Sequence, residues 1–499
     1  MFQNLIAGFA NVFRPFAFLM MSFGTLVGVV IGALPGLSGS TGIILMLPLI
    51  YKLDSDVALV MLCGLFCGSM YGGSISAILL NTPGTPSATA TLLDGYPMNK
   101  NGNAGRALGI SAVSSFIGGL ISAICLALLA PQLAKVALSF TSPDFFALSI
   151  FGLSIMASTD KNVVKGLIAG FSGLLISTVG VDGVAGLDRF TFGNYKLMRG
   201  FQLLPVLIGV FALSEVFLIV QKGGERESTQ REQYVGRVFP KIDDLKALIG
   251  SAIIGGLIGV FIGIIPGTGG AISCFLAYQV AKKLSKHPDA FGSGIPEGIA
   301  APEASNNGTT GGALIPMLCL GVPGDTVTSV MLGALTLIGV KPGPQLFVNP
   351  DGVKIVYAIL AGMIVIQFVM LIVGLAMAKV SPFVLRVPQT ILMPIIAVLC
   401  VVGAYSNSNN LFDVLIAIIF GVVGYVMKKF HYPGAPLVLG IVLGPIAEEN
   451  LNRALIVSKN DWTTFLTHPI SCTFLVISII IIIYSIIKNL HDSRKEQTS

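Results

Sequence analysis

Neutral oxygen donors collect at four places in an otherwise apolar chain. Ser38, Gly39 and Ser40 follow Pro35-Gly36, and Asn81, Thr82, Gly84 and Thr85 surround Pro83. Thr268 and Gly269 follow Pro266-Gly267, while Asn306 and Asn307 precede Gly324, Asp325 and Thr326 at Pro323. Hydroxyls, amides and backbone carbonyls freed at a helix end are the oxygens sodium takes. The N–H groups of a restarted helix attract a carboxylate. These stretches hold no Lys or Arg, so an anionic substrate would be held by helix ends, hydroxyls and co-bound cations. The residues expected at substrate are Ser38, Gly39, Ser40, Asn81, Thr82, Gly84, Thr85, Thr268, Gly269, Asn307 and Gly324. Those expected at sodium are Gly36, Ser38, Thr82, Gly267, Thr268, Asn306, Asp325 and Thr326. An isolated Pro-Gly break merely bends a helix, but two duplicated pairs set among Ser, Thr and Asn favour a binding site.

Among ionisable residues, Asp325 directly follows Pro323-Gly324, and an intramembrane carboxylate is a functional candidate, here as a cation ligand. Glu297 and Glu303 flank Pro302 in a polar stretch, where a solvated or helix-capping role is expected rather than coordination. Glu215 is expected to snorkel to the interface from an apolar helix. Cys63 and Cys67 share a helix face without a nearby His, and all seven cysteines read as small buried residues. No disulfide framework, metal centre or cofactor is expected. With no His-Glu-x-x-His and no His in a hydrophobic run, an enzyme is not expected.

The elements that must position these residues are membrane helices. The chain has 499 residues, 54% of them hydrophobic and 11% charged, with mean hydropathy +0.86. A soluble domain carries about 25% charged residues. Uncharged runs at 15–51, 57–93, 107–134, 247–281 and 355–378, with further apolar segments, predict an all-α polytopic membrane protein of about 12 spans plus re-entrant elements. As one helix, Pro15–Tyr51 would be about 55 Å long against a hydrocarbon core of about 30 Å, so it must break into a full arm and a short one. The run to Leu93 repeats this, with an arm ending near Leu80. Phe2, Leu5, Ile6, Phe9, Val12, Phe13 and Phe16 recur at helical spacing. The N-terminus therefore either lies along the membrane surface or extends the first span, and it is expected to be retained.

The breaks recur. Leu26 to Gly36 agrees at seven of eleven positions with Leu257 to Gly267, 231 residues later. Gly72-Gly73 and Asn81–Pro86 pair with Gly311-Gly312 and Gly321–Thr326, Gly173 with Gly421, and Pro205 and Gly209 with Pro436 and Gly440. This divides the chain into repeats at 1–222 and 246–469, a charged linker at 223–245 and an extra helix with tail at 470–499. Basic residues crowd the linker and tail, so both are expected in the cytoplasm. One extra helix then leaves an odd number of crossings per repeat, which makes the repeats inverted and puts the N-terminus outside. The net charge of +6 comes without an aromatic ladder or continuous basic surface, so no nucleic-acid partner is expected.

Gly32-Ala-Leu-Pro-Gly36, Tyr71-Gly-Gly-Ser-Ile-Ser-Ala-Ile-Leu-Leu-Asn-Thr-Pro-Gly-Thr85, Asp94-Gly-Tyr-Pro-Met98 and Pro302-Glu-Ala-Ser-Asn-Asn307 closely resemble the large membrane subunit of tripartite tricarboxylate transporters, the TctA family. The resemblance covers most of residues 20–450. It implies a bacterial inner-membrane, cation-coupled importer of citrate or other organic carboxylates, moving in an elevator-like way. It also implies two partners, a small membrane subunit and a periplasmic substrate-binding protein. A passive anion channel and a stand-alone carboxylate carrier are the alternatives, and the oligomeric state stays open, a dimer included.

Overall fold

The structure, a computed structural model, describes residues 2–158, 162–182, 186–221, 235–267, 269–385 and 389–498. The helices are α1 (Phe2–Val12), α2 (Pro15–Ala33), α3 (Gly39–Ile50), α4 (Ser55–Leu80), α5 (Leu92–Lys100), α6 (Ala104–Ala137), α7 (Ser142–Ser158) and α8 (Val163–Ser177). After a short hairpin, Gly180–Val181 with Asp188–Arg189, come α9 (Leu203–Leu207), a π-helical stretch Ile208–Leu213, and α10 (Ser214–Gln221). Beyond the linker follow α11 (Ile242–Ile264), α12 (Gly269–Leu284), α13 (Pro296–Leu320), α14 (Thr326–Leu337), α15 (Pro350–Val384) and α16 (Gln389–Ser408). The chain then runs through α17 (Leu411–Lys429), α18 (Gly434–Val457), α19 (Thr464–Thr467) and α20 (Pro469–Thr498). Among the described residues eight helices are long and apolar enough to cross a bilayer, and five shorter apolar helices accompany them.

The chain forms two compact units. The first takes Met1–Ala134, Lys222–Met331 and Ile338–Ile395. At its centre lie α4 and α13, buried along almost their whole length. Lipid tails are as apolar as Leu, so these helices associate by close packing, and small residues allow it. α2 lies on α4 where a Cβ at Gly28 would meet the Leu65 carbonyl, 2.9 Å from its carbon. α11 lies on α13 in the same manner, where a Cβ at Gly259 would meet the Ser305 carbonyl and stand 2.9 Å from Gly308 Cα. α6 brings Gly118 against the Ala304 carbonyl of α13, and α15 brings Gly374 against the Tyr71 ring of α4.

Polar ties fasten the ends of this unit. Asp244 caps α11 by accepting the Lys241 N–H, and it pairs with Arg106 at the start of α6 at 2.5 Å. Asp94 of α5 accepts the N–H groups of Gly292, Gly294 and Ile295 on Oδ1 and the Tyr278 hydroxyl on Oδ2. α1 is a separate helix: the chain turns at Phe13-Arg14, Pro15 starts α2, and Gly8 packs on the Tyr357 carbonyl.

The second unit takes Lys135–Gln221, Leu332–Leu337 and Ile396–Ser499. Gly173 of α8 abuts the Leu437 carbonyl of α18, while Gly209 of the π-helical stretch abuts the Ala417 carbonyl of α17. Glu215 forms an ion pair with Lys428 in the last turn of α17 at 2.5 Å. Asp144 of α7 accepts the Ser471 N–H at 2.9 Å, which anchors the start of α20.

Candidate functional site

Both Pro-Gly breaks adopt the same backbone path. α2 stops at Ala33 and α11 at Ile264, because the proline two positions on lacks an N–H. The capping residues are extended alike, Leu34 at φ −83°, ψ 109° and Ile265 at φ −79°, ψ 112°. Gly36 and Gly267 then take positive φ, 91° and 81°, which a side chain would resist. Ser38 restarts the chain as N-cap of α3, accepting the Thr41 N–H at 3.3 Å with the Ser40 hydroxyl 2.8 Å away. The other two breaks also correspond: α4 ends at a left-handed Asn81 and α13 at a left-handed Gly321.

The four breaks meet crosswise within the first unit. A Cβ at Gly39, in the first break, would overlap the Ser69 hydroxyl of α4 and stand 3.4 Å from Val327 of α14, beyond the fourth break. A Cβ at Gly270, beyond the third break, would stand 2.8 Å from Ser87 Cβ, beyond the second, and 3.3 Å from Asn306 Oδ1. Gly267 donates its N–H to the Gly324 carbonyl at 2.7 Å. Gly84 lies so close to Gly73 that an added Cβ would stand 2.9 Å from its Cα.

Several polar side chains near the breaks are buried, some with oxygens that lack a donor. Asn306 is wholly buried and donates to the Met70 carbonyl at 2.9 Å, while its Oδ1 has no hydrogen-bond donor. Thr85 Oγ1 and Ser87 Oγ lie 3.2 Å apart, both buried. Asn307 is also buried, with Nδ2 at 3.5 Å from the Glu303 carbonyl and Oδ1 unpartnered. Asp325 is buried too. Its Oδ1 accepts the Thr328 N–H and hydroxyl, each at 2.7 Å, so this carboxylate caps α14.

The structure therefore brings Gly39, Ser40, Gly84, Thr85, Gly267, Gly324 and Asn306 into the neighbourhood of the breaks. It leaves Gly36, Asn81 and Thr82 exposed, with Thr82 donating only to the Leu80 carbonyl of its own turn. Thr326 and Gly269 are half-buried, and nothing lies within 4 Å of a Cβ at Gly269. Thr268 lies outside the described residues. Ser87 escaped the sequence reading, although it sits one residue past Pro86. The role expected of Glu303 is corrected. It is neither solvated nor a cap but wholly buried, accepting hydroxyls from Thr91, Ser111 and Ser115. The signal for it was the small and hydroxyl stripe Ser111, Ser115, Gly118 and Ser122 on α6, the face that lies on α13.

Paired helix breaks lined by neutral oxygens in a multi-pass helical protein are the construction that secondary transporters use. Residues 18–439 match the tripartite tricarboxylate transporter TctA family, and the chain belongs to that family. It is thus a tricarboxylate transporter subunit, and a tripartite system supplies further subunits. The chain is 35% identical over 493 residues to an Agrobacterium vitis protein described as an uncharacterized 52.8 kDa protein in the TAR-I ttuC' 3' region, covering 99% of this chain and 97% of that one. It is 36% identical over 238 residues to another protein of that organism, described as lying in the TAR-II ttuC' 3' region, covering 48% of this chain and 98% of that one. No solved structure gives a significant match.

Proposed function

We propose that the chain is the large transmembrane subunit of a bacterial inner-membrane importer that carries an organic carboxylate together with cations. A periplasmic solute-binding protein delivers the substrate, a small membrane subunit completes the complex, and the core is a pair of inverted repeats of about 12 spans in all. The crosswise meeting of the breaks carries this proposal. Gly39 faces Val327 just as Gly270 faces Ser87, a relation in which each repeat's first break meets the other's second. Transporters with inverted repeats bind substrate and ions at such half-helix ends.

The N-termini of α3 and α12 offer N–H groups to a carboxylate. Asn306 Oδ1, Thr85 Oγ1 and Ser87 Oγ offer oxygens to sodium, with Asp325 as the anionic residue at the neighbouring break. An anion entering a negative-inside cell works against about 2.3 kcal/mol per charge per 100 mV, so accumulation needs co-moving cations. The linker and tail lie in the cytoplasm and the N-terminus outside.

The test is uptake of labelled di- and tricarboxylates into proteoliposomes holding the membrane subunits, with the loaded binding protein added and sodium and pH gradients imposed separately. Uptake that needs the binding protein and a sodium gradient is the expected result. Accumulation driven by the pH gradient alone and indifferent to sodium overturns sodium coupling. Currents far above carrier turnover in a bilayer recording would mean a channel.

A further inference from the structure

Glu303 lies inside the first unit with its side chain wholly buried. Thr91, just before α5, donates its hydroxyl to Oε1 at 2.5 Å. Ser111 and Ser115, one turn apart on α6, each donate to Oε2 at 3.1 Å. Ser74 of α4 also faces Glu303, stands with its Oγ 2.7 Å from that of Ser111, and lies 2.7 Å from the Tyr71 carbonyl. Among the described residues no Lys or Arg pairs with Glu303. The ionisable groups that feel its charge are Tyr71 from α4 and Cys274 from α12. Farther toward the start of α13 lie Asp94 and Tyr278, which bond each other. α6 presents only hydroxyls and small residues to it, and α11 meets α13 through Gly255, Gly259 and Gly263.

A buried carboxylate without a cationic partner is costly when ionised, and hydroxyl donors offset only part of that cost. Its charge must be neutralised for at least part of a transport cycle. Three hydroxyls donate to the carboxylate at 2.5–3.1 Å, a hydrogen-bonded setting in which a carboxyl group can take up and give up a proton. A proton is the cation that fits. Hydroxyls can also follow it, since each is both donor and acceptor and turns freely.

We propose that Glu303 is a proton-binding site, and that Ser111 and Ser74 form a two-hydroxyl relay leading from it toward α4. On binding, a hydronium ion gives up one proton, its O–H bond breaking to leave water, and that proton forms a new O–H bond on a carboxylate oxygen while the facing hydroxyl turns from donor to acceptor. Release reverses this and returns the proton to water. The site is separate from the neutral oxygens assigned above to sodium. Its use in coupling rests on the importer proposal, whereas proton binding itself does not.

The test uses the full-length protein in lipid, followed by infrared spectroscopy from about pH 5 to about pH 9. The wild type should show a protonated-carboxyl C=O band that titrates in this range and is missing from Glu303→Gln, which keeps the size and, with an NH2 donor and one acceptor oxygen, imitates the protonated acid. Ser111→Ala with Ser115→Ala removes two donors that favour the charged form, so the band's midpoint should move to higher pH by about one unit or more. A wild-type spectrum without a Glu303→Gln-sensitive titrating band overturns the proposal, and an unmoved midpoint in the serine variant overturns the hydroxyl cage. Should Glu303→Gln fail to fold, the serine variant's shift decides alone. In proteoliposomes, Glu303→Gln should abolish the contribution of a pH gradient to uptake while sodium dependence persists. A titrating band with no carboxylate uptake by any protein would refute the importer and leave the proton site standing.

Discussion

Gly259→Ala measures how much of this fold depends on two helices touching backbone to backbone. The added Cβ would overlap the Ser305 carbonyl oxygen and stand 2.9 Å from Gly308 Cα, both on α13, where neither backbone atom can step aside. Relief requires α11 and α13 to part by roughly 0.5–1 Å, a gap that forfeits a quarter to a half of each dispersion contact of about 0.1–0.2 kcal/mol. Over a face with on the order of 80 atom contacts the loss is about 4 kcal/mol, against which Ala returns about 1 kcal/mol of helix propensity. A net destabilisation of about 3 kcal/mol should lower the Tm by about 5 °C or more. Thermal melts followed with a thiol-reactive dye suit the protein, because Cys274 and Cys319 in this region are buried until it opens. Gly250→Ala on the same helix is the control: nothing lies within 4 Å of its Cβ, so its Tm should hold or rise slightly. Equal melting of the two variants would refute the reasoning.

Gly28→Ala, the corresponding substitution between α2 and α4, should lower the Tm by a similar amount; a drop confined to one of the two would break the correspondence between the halves. Asp94→Ala removes the acceptor for three backbone N–H groups and the Tyr278 hydroxyl, and should cost about 3 kcal/mol, less than the sum of the bonds because the loop N–H groups recover water. Trypsin should then cut faster at Lys283 or Lys286, and an unchanged digest would argue against this tie. Asp325→Ala should lose about 1–2 kcal/mol with the cap of α14, whereas Asp325→Asn keeps the Oδ1 acceptor and most of that stability. In uptake assays Asp325→Asn should weaken sodium dependence more than substrate recognition by the binding protein, and equal effects on both would count against a role at the ion. Cysteines placed in the linker should resist impermeant thiol reagents in intact cells; labelling from the periplasm would overturn the topology.

The ends of the helices were legible in the sequence because Pro and Gly act through their own backbone. Pro35 and Pro266 stop α2 and α11, α4 ends at Leu80 where its polar break begins, and the arm after Pro35-Gly36 is short. The hydrophobic runs likewise declared a membrane protein, since 11% charged residues cannot cover a water-facing surface. Which break faces which was decided only in three dimensions. The pairing of Gly270 with Ser87 and Asn306 depends on the stacking of α12 against the segment after α4, and no local preference encodes that. Thr82 and Asn306 looked alike as uncharged polar residues near breaks, yet one is exposed and the other wholly buried with an unpartnered oxygen. Glu303 shows the same limit most clearly. Its neighbours in sequence pointed to solvent, and its neighbours in space include three donating hydroxyls from residues 188 to 212 positions away. A residue's backbone acts where it stands in the chain, but its burial and its hydrogen-bond partners belong to whatever the fold packs over it.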